Sequence, residues 1–597
     1  IKSKTRAACK QAYREYIETI ISPDCTSNPK RFWSFINSKK TEATGVAALK
    51  SSDGLTYSDP KMKADILNNQ FSSVFNSNEP TDNIEDLEDT NNRMDEISVT
   101  ENGVNKLLKN LKIHKATGPD GISTRLLKEL HEEITPVFTL FFQTSINEGV
   151  VPNDWKKADV VPIYKKGAKN KPENYRPVSL TAVTCKLLEH IITSGMMRYL
   201  ERRNILTDMQ HGFRTKRSCE TQLITTIQDI ASTVDGKGQI DLILLDFSKA
   251  FDKVPHCRLM KKLHHYGIQG NTYKWIQDFL SKRTQEVVLE GGRSNSAPVQ
   301  SGVPQGSVLG PSLFLIYIND LPSYISKGST ARLFADDCVL YRTINNIDDT
   351  VDLQTDLDDL QRWERHWMME FHPQKCQVLN ITNRRKPVIS SYKIHGQLLE
   401  TTETAKYLGV TIHNKLSWNP HINQITRKAN NSRAFLQRNI YQCPSSVKQQ
   451  CYKTLVRPQI EYASTIWDPF TTTNINKIEM VQRRSARFVL GDYHRTSSVT
   501  DMLRRLQWPA LQQRRKAAKL VMLYKIVHGM VAVPMDNLVP SSSTARGHNF
   551  KFILPHTRTQ LYKASYFPDT IRLWNNLPRE AMECSTLESF KTLVSKC

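Results

Sequence analysis

Along the first 75 residues, apolar positions fall at helical spacing among lysines and arginines. Arg14-Glu15-Tyr16 and Arg31-Phe32-Trp33-Ser34-Phe35-Ile36 show the pattern, which predicts basic helices. A stretch rich in Asn, Asp and Glu then breaks it and predicts a linker, with a boundary near residue 95. From 98 to about 416, short β-rich runs such as 159–164 and 240–245 alternate with helical patterns such as 187–200, as a mixed domain would. Beyond Trp418 the strand signals largely stop, and helices are expected at 422–440, 446–455, 475–490, 499–506 and 511–526. The final stretch, around Tyr566-Phe567-Pro568 and Leu573-Trp574, reads as aromatic and irregular, with a short helix at 589–594.

At 597 residues and 39 % hydrophobic, the chain exceeds the size of one core, so several domains are expected. Charge sharpens the division. Between Glu79 and Glu96 there are eight carboxylates and one arginine, a balance of −7, which leaves +30 on the rest of a chain whose net charge is +23. Such a surplus favours a polyanionic partner, most commonly nucleic acid, since neutralising each phosphate releases a counterion. No run of 18 apolar residues and no apolar leader occurs, which excludes a membrane-spanning helix and points to a soluble intracellular protein. The opening Ile1 suggests a segment of a longer reading frame. The eleven cysteines are scattered without zinc spacing and read as reduced, structural thiols.

Two segments set carboxylates against apolar strands: Leu242-Ile243-Leu244-Leu245-Asp246-Phe247 and Leu333-Phe334-Ala335-Asp336-Asp337-Cys338-Val339-Leu340. The second reads as a hairpin whose turn is the Asp-Asp pair. Taken singly, either is ordinary turn or cap chemistry. Together the acids would raise one another's pKa unless divalent cations sat among them. Between the two lies Ser301-Gly302-Val303-Pro304-Gln305-Gly306-Ser307-Val308-Leu309-Gly310-Pro311, whose glycines permit close backbone approach to a ligand, ahead of an apolar helix at 313–318.

In that order, Asp246 with Phe251, then 302–306, then Phe334-Ala335-Asp336-Asp337 resemble the palm motifs of reverse transcriptases of non-long-terminal-repeat retrotransposons. The resemblance extends to Lys115-Ala116-Thr117-Gly118-Pro119-Asp120-Gly121-Ile122, to Asn174-Tyr175-Arg176-Pro177-Val178-Ser179-Leu180 and to Gln210-His211-Gly212-Phe213-Arg214, which look like fingers segments. Tyr407-Leu408-Gly409-Val410 looks like a primer grip. Leu455-Val456-Arg457-Pro458, Glu461-Tyr462-Ala463-Ser464 and 482–488 resemble jockey-like and chicken-repeat-like elements, so coverage is nearly the whole chain.

The resemblance implies an α+β right-hand polymerase: fingers, a palm with an antiparallel sheet and flanking helices, and a helical thumb, between helical extensions. The divisions expected are a basic helical extension with acidic linker at 1–95, a leading fingers segment at 96–145, fingers and palm at 146–416, thumb and accessory basic region at 417–535, and a region of unknown role at 536–597. It implies an RNA template, a DNA primer or target, deoxynucleoside triphosphates, and two Mg²⁺, replaceable by Mn²⁺, on Asp246, Asp336 and the Phe247 carbonyl. Asp337 would support these more than ligate. Phe251 would exclude a ribose 2′-hydroxyl, Gln305 and Gly306 would lie beside the nucleotide, and Lys165 and Arg176 would neutralise its triphosphate. Lys375 would protonate the leaving pyrophosphate, Tyr407, Leu408 and Gly409 would grip the primer, and Arg483, Arg484, Arg487, Arg514, Arg515 and Lys516 would track a duplex backbone. The family also implies target-primed synthesis in a nucleus, with no membrane partner.

No upstream endonuclease, ribonuclease H quartet or zinc knuckle is read in the chain, so target cutting is not expected of it. Two other readings compete. One is a decayed element copy that binds RNA without turnover. The other is an RNA-dependent RNA polymerase or telomerase-type enzyme, against which Phe251 counts.

Overall fold

A computed structural model describes residues 2–21, 23, 27–39, 45–76, 92–541 and 550–595, so most of the expected acidic linker lies outside the described residues. The architecture is mixed, of the α+β kind. Its strands of four residues or more are, in chain order, β1 (Lys157–Tyr164), β2 (Tyr175–Leu180), β3 (Gln239–Asp246), β4 (Arg283–Leu289), β5 (Ser329–Phe334), β6 (Asp337–Ile344), β7 (Gln377–Thr382), β8 (Thr404–Tyr407) and β9 (Val410–His413).

Two five-stranded sheets organise the first two thirds of the chain. In the central one the order is Glu400–Thr401, β7, β3, β6, β5, and β3, β5, β6 and β7 pair antiparallel. β3 is an almost unbroken apolar run because both of its faces are covered. The pleat sends Ile240 and Leu242 to a core shared with the helix Cys219–Asp235. Ile243 and Leu245 go to a second core with the helices Gly310–Tyr317 and Ile347–Trp367. The other sheet runs β2, β1, β4, Gly292–Arg293, with Ala297–Val299 also pairing antiparallel with β4, and with β1 and β4 parallel. Its outer face is closed by the helix Pro60–Ser72, whose Leu67 and Phe71 pack with Val160 and Val287.

The helices expected after Trp418 are present as Asn419–Asn439, Ser445–Cys451 with a π-turn to Val456, Thr472–Leu490, Val499–Arg505 and Leu511–Val527. The expectation of irregular structure near 566 is corrected: Tyr566–Asn575 is a helix. Pro568 sits in its first turn, where a missing N–H costs nothing. Phe567, Ile571 and Trp574 bury into the core that also holds Leu223 and Leu242, so the chain's last helices brace the central sheet through the helix Cys219–Asp235. No helix among the described residues is long and apolar enough to cross a membrane.

Candidate active site

β3 and β6 pair in a register that sets Asp337 directly opposite Asp246. Opposed residues of an antiparallel pair project to the same face, so both carboxylates leave the sheet on the side of Leu242 and Val339. This corrects the expected turn. Phe334 pairs with Asp337, so the two-residue loop is Ala335-Asp336, and Asp337 already belongs to the ladder. Ala335 makes the reversal with φ +54.

Beyond its end β3 is braced from the β7 side. The His372 N–H donates to the Asp246 carbonyl (2.8 Å) and Ser248 N–H to the Glu370 carbonyl (2.7 Å), while the Phe247 and Phe371 rings stack with centroids 4.4 Å apart. In this wide antiparallel pairing the N–H and C=O of Phe247 turn away from Phe371, toward β6 and the aspartates. The same brace delivers Lys375, whose Nζ lies 3.2 Å from Asp246 Oδ2.

Burial, then Asp336, then Asp246 push the Asp337 carboxyl up to about 6, even though its side chain reaches solvent in the concave cleft. Asp336 is raised as well, mainly by burial, with Arg176 and Lys165 opposing. Lys165, just past β1, and Arg176, on β2, thus come near enough from the second sheet for their charge to act on the acids. The Lys165 ammonium is lowered by burial and by Arg176, and held up by Asp246.

The 302–306 loop joins the two sheets. Ser179 N–H on β2 donates to the Gln305 carbonyl (2.7 Å), and a Cβ on Gly306, φ +119, would lie 2.5 Å from the Ser179 carbonyl oxygen, so only glycine fits. Val303 N–H donates to the Phe251 carbonyl (2.8 Å) and Gln305 Nε2 to Asp252 Oδ1 (2.7 Å). The Phe251 ring stacks on Phe314 at 4.4 Å and shares a depression with Gln305, Pro177 and Ser179.

The hairpin β8–β9 turns through Leu408 and Gly409, both at positive φ, and forms one wall of the cleft that holds Asp246, Asp337 and Lys375. Tyr407 itself is 2 % exposed, its hydroxyl accepting from Gln222 Nε2 (2.9 Å), so it is chiefly a strut under the turn, and Lys406, Leu408 and Gly409 give the hairpin's more open side of the cleft.

The basic helices after residue 420 depart from expectation. Arg515 is 1 % exposed and pairs with Asp468 (2.7 Å), inside a cluster with Lys519, Asp569 and Arg572. Arg514 pairs with Glu461, and Arg487 donates to the carbonyls of Asp492, His494 and Ser497. Arg484 and Lys516 are exposed and Arg483 is half-buried.

Sequence reasoning missed two supports. Glu189 Oε2 accepts from the N–H groups of Val308 (2.7 Å) and Leu309 (3.0 Å) and so anchors the glycine loop. Glu364, side chain 4 % exposed, accepts from Phe371 N–H and from His395 (2.9 Å). The available signal was a carboxylate at a periodic apolar position of a helix.

Among the described residues no three acidic, His or Cys side chains close around a metal ion as they stand. The donor chemistry nevertheless fits Mg²⁺: hard carboxylate oxygens, a carbonyl turned the same way, and mutual repulsion that a divalent ion would relieve.

A family model described as reverse transcriptase (RNA-dependent DNA polymerase) matches residues 163–412. The chain is 28% identical over 419 residues to the RNA-directed DNA polymerase from mobile element jockey of Drosophila melanogaster, covering 67% of this chain and 45% of that protein. It is 29% identical over 398 residues to the probable RNA-directed DNA polymerase from transposon BS of the same organism (64% and 43%). Against a Pol polyprotein from the type-1 retrotransposable element R2 of Popillia japonica the figure is 24% over 313 residues (49% and 42%). The chain thus spans under half the length of these relatives. All three aspartates fall inside the segment that the reverse transcriptase family model matches, and the jockey and BS relatives are named as RNA-directed DNA polymerases of mobile elements.

Proposed function

We propose that this chain is an RNA-directed DNA polymerase that extends a DNA primer along an RNA template, in the target-primed setting of a mobile element. The observation that carries the reading is the opposition of Asp246 and Asp337 across β3 and β6, with Asp336 in the adjoining turn and Lys165 and Arg176 facing them. In this reading the central sheet is the palm, the β1–β2 sheet belongs to the fingers, and the helices after Trp418 are the thumb.

Asp246, Asp336 and Asp337, with the Phe247 carbonyl, would hold two Mg²⁺ or Mn²⁺, which when bound supply a more acidic primer hydroxyl and charge neutralisation on the triphosphate. Lys165 and Arg176 take the triphosphate oxygens from the opposite wall. Gln305, fixed to Asp252, and Gly306, pressed to β2, hold the nucleotide's side of the cleft rigid. The Phe251 ring, pinned on Phe314, stands where a 2′-hydroxyl would project. Lys375, whose Nζ lies 3.2 Å from Asp246 Oδ2, donates a proton to the leaving pyrophosphate as the primer 3′-oxygen bonds to the α-phosphorus and the α–β bridge bond breaks. Leu408 and Gly409 hold the primer end against the aspartates.

Primer extension on poly(rA)/oligo(dT) with Mg²⁺ and dTTP tests this. The parent should extend, and the Asp336→Ala, Asp337→Ala double variant should lose at least about 1,000-fold in rate while binding the duplex equally. If neither extends while both bind, the chain is a nucleic-acid-binding remnant.

A further inference from the structure

One edge of β5 pairs with β6; the other is taken by residues 209–211. Leu333 N–H donates to the Met209 carbonyl (2.9 Å) and His211 N–H to the Leu333 carbonyl (2.8 Å). Next along, Gln210 Oε1 accepts from Ala335 N–H (2.9 Å) and from Gly212 N–H (2.7 Å). Both partners are backbone donors, which fixes the amide's orientation and leaves Nε2 buried without a partner. The approach is close: a Cβ on Gly212 would lie 2.4 Å from the Ala335 nitrogen. Arg214 fastens the segment, donating to both oxygens of Glu201 (2.9 and 2.7 Å) and to the Thr207 carbonyl (2.6 Å).

Ala335 has φ +54, a conformation an L-residue avoids, and it immediately precedes Asp336. Its N–H lies in the loop, outside the ladder, and Gln210 accepts it. Packing alone gives no reason for an amide here, since methionine would fill a similar volume with no orphaned donor.

We propose that Gln210 is a positioning residue whose Oε1 holds Ala335 in the left-handed conformation and thereby aims the Asp336 carboxylate. What Asp336 is aimed at rests on the polymerase reading; the hold does not.

The test compares parent, Gln210→Met, Ala335→Gly and the double variant by dTTP incorporation on poly(rA)/oligo(dT), duplex affinity, melting temperature and hydrogen exchange over 331–337. Gln210→Met should lower kcat about 100-fold, with KM and duplex Kd within about twofold and faster exchange at Ala335. Because glycine adopts positive φ unaided, Ala335→Gly should recover at least about tenfold of that loss. The proposal is overturned if the kcat loss is the same in the Ala335→Gly background, if it tracks a fall in melting temperature, or if exchange at Ala335 does not change. A parent that extends no primer, yet loses protection at Ala335 on Gln210→Met, overturns the polymerase reading and supports the hold.

Discussion

Two groups of cations, Lys165 and Arg176 beside β1 and β2 and the Arg514–Lys519 cluster on the helix Leu511–Val527, look alike in the chain and sit in opposite environments. The first pair is exposed and faces carboxylates with which it makes no direct ion pair. In the second, Arg515 and Lys519 are each 1 % exposed and bonded to Asp468, while Lys519 reaches on to Asp569. Basic charge on a strand end that opens on a cleft stays available to a ligand. On a helix packed on three sides it must find an internal acid or be excluded, because an unpaired buried charge is too costly.

The strongest way to break this division is Asp468→Ala, which leaves Arg515 and Lys519 buried with Asp569 alone. Denaturant titration should show a loss of about 3–5 kcal/mol, with little change in kcat for the molecules that remain folded. Next come Lys165→Gln and Arg176→Gln. Each should lower kcat/KM for dTTP about 10- to 100-fold, since a charge-assisted hydrogen bond contributes about 1.5–3 kcal/mol, and leave the denaturation midpoint in place. The reverse pattern, with Lys165→Gln unfolding the protein and Asp468→Ala sparing it, would sink the comparison.

A smaller effect concerns pH. With its pKa raised to about 6, the Asp337 carboxyl holds its proton more tightly in the folded state than in the unfolded chain. Its contribution is therefore most favourable below the ordinary carboxylate range and is lost as pH rises through about 6. Measured as the difference in unfolding free energy between parent and Asp337→Asn from pH 4 to 7, that loss should belong to the parent and shrink when Mg²⁺ is added, because the ion competes with the proton. Smallest is the contribution of the helical cations that remain outside. Arg484→Ala and Lys516→Ala should each reduce the salt slope of duplex binding by about 1, with no change in dTTP kinetics.

The segments that meet at the cleft were legible because they are short and ordered: an apolar strand ending in Asp246, a glycine loop, and an apolar strand either side of Asp336-Asp337. The later helices were legible from period alone, to within three residues at their ends. What period could not show is seen at Tyr566–Asn575, where a proline and crowded aromatics hid a buried helix. It could not show the turn either: Phe334 pairing with Asp337 moved the reversal back to Ala335, a position no propensity favours, because Gln210 and Gly212 hold it from outside the hairpin.

The sequence by itself determined which residue types are present, in what order, and on which face of each strand they project, since alternation and helical period are local properties of the backbone. Only the tertiary structure decided the register that opposes Asp246 and Asp337, the burial of Tyr407 beneath the turn with which it was expected to grip a primer, and which arginines stay on the surface. Those outcomes depend on partners hundreds of residues away, and the free energy that selects them comes from desolvation and pairing across the assembled core.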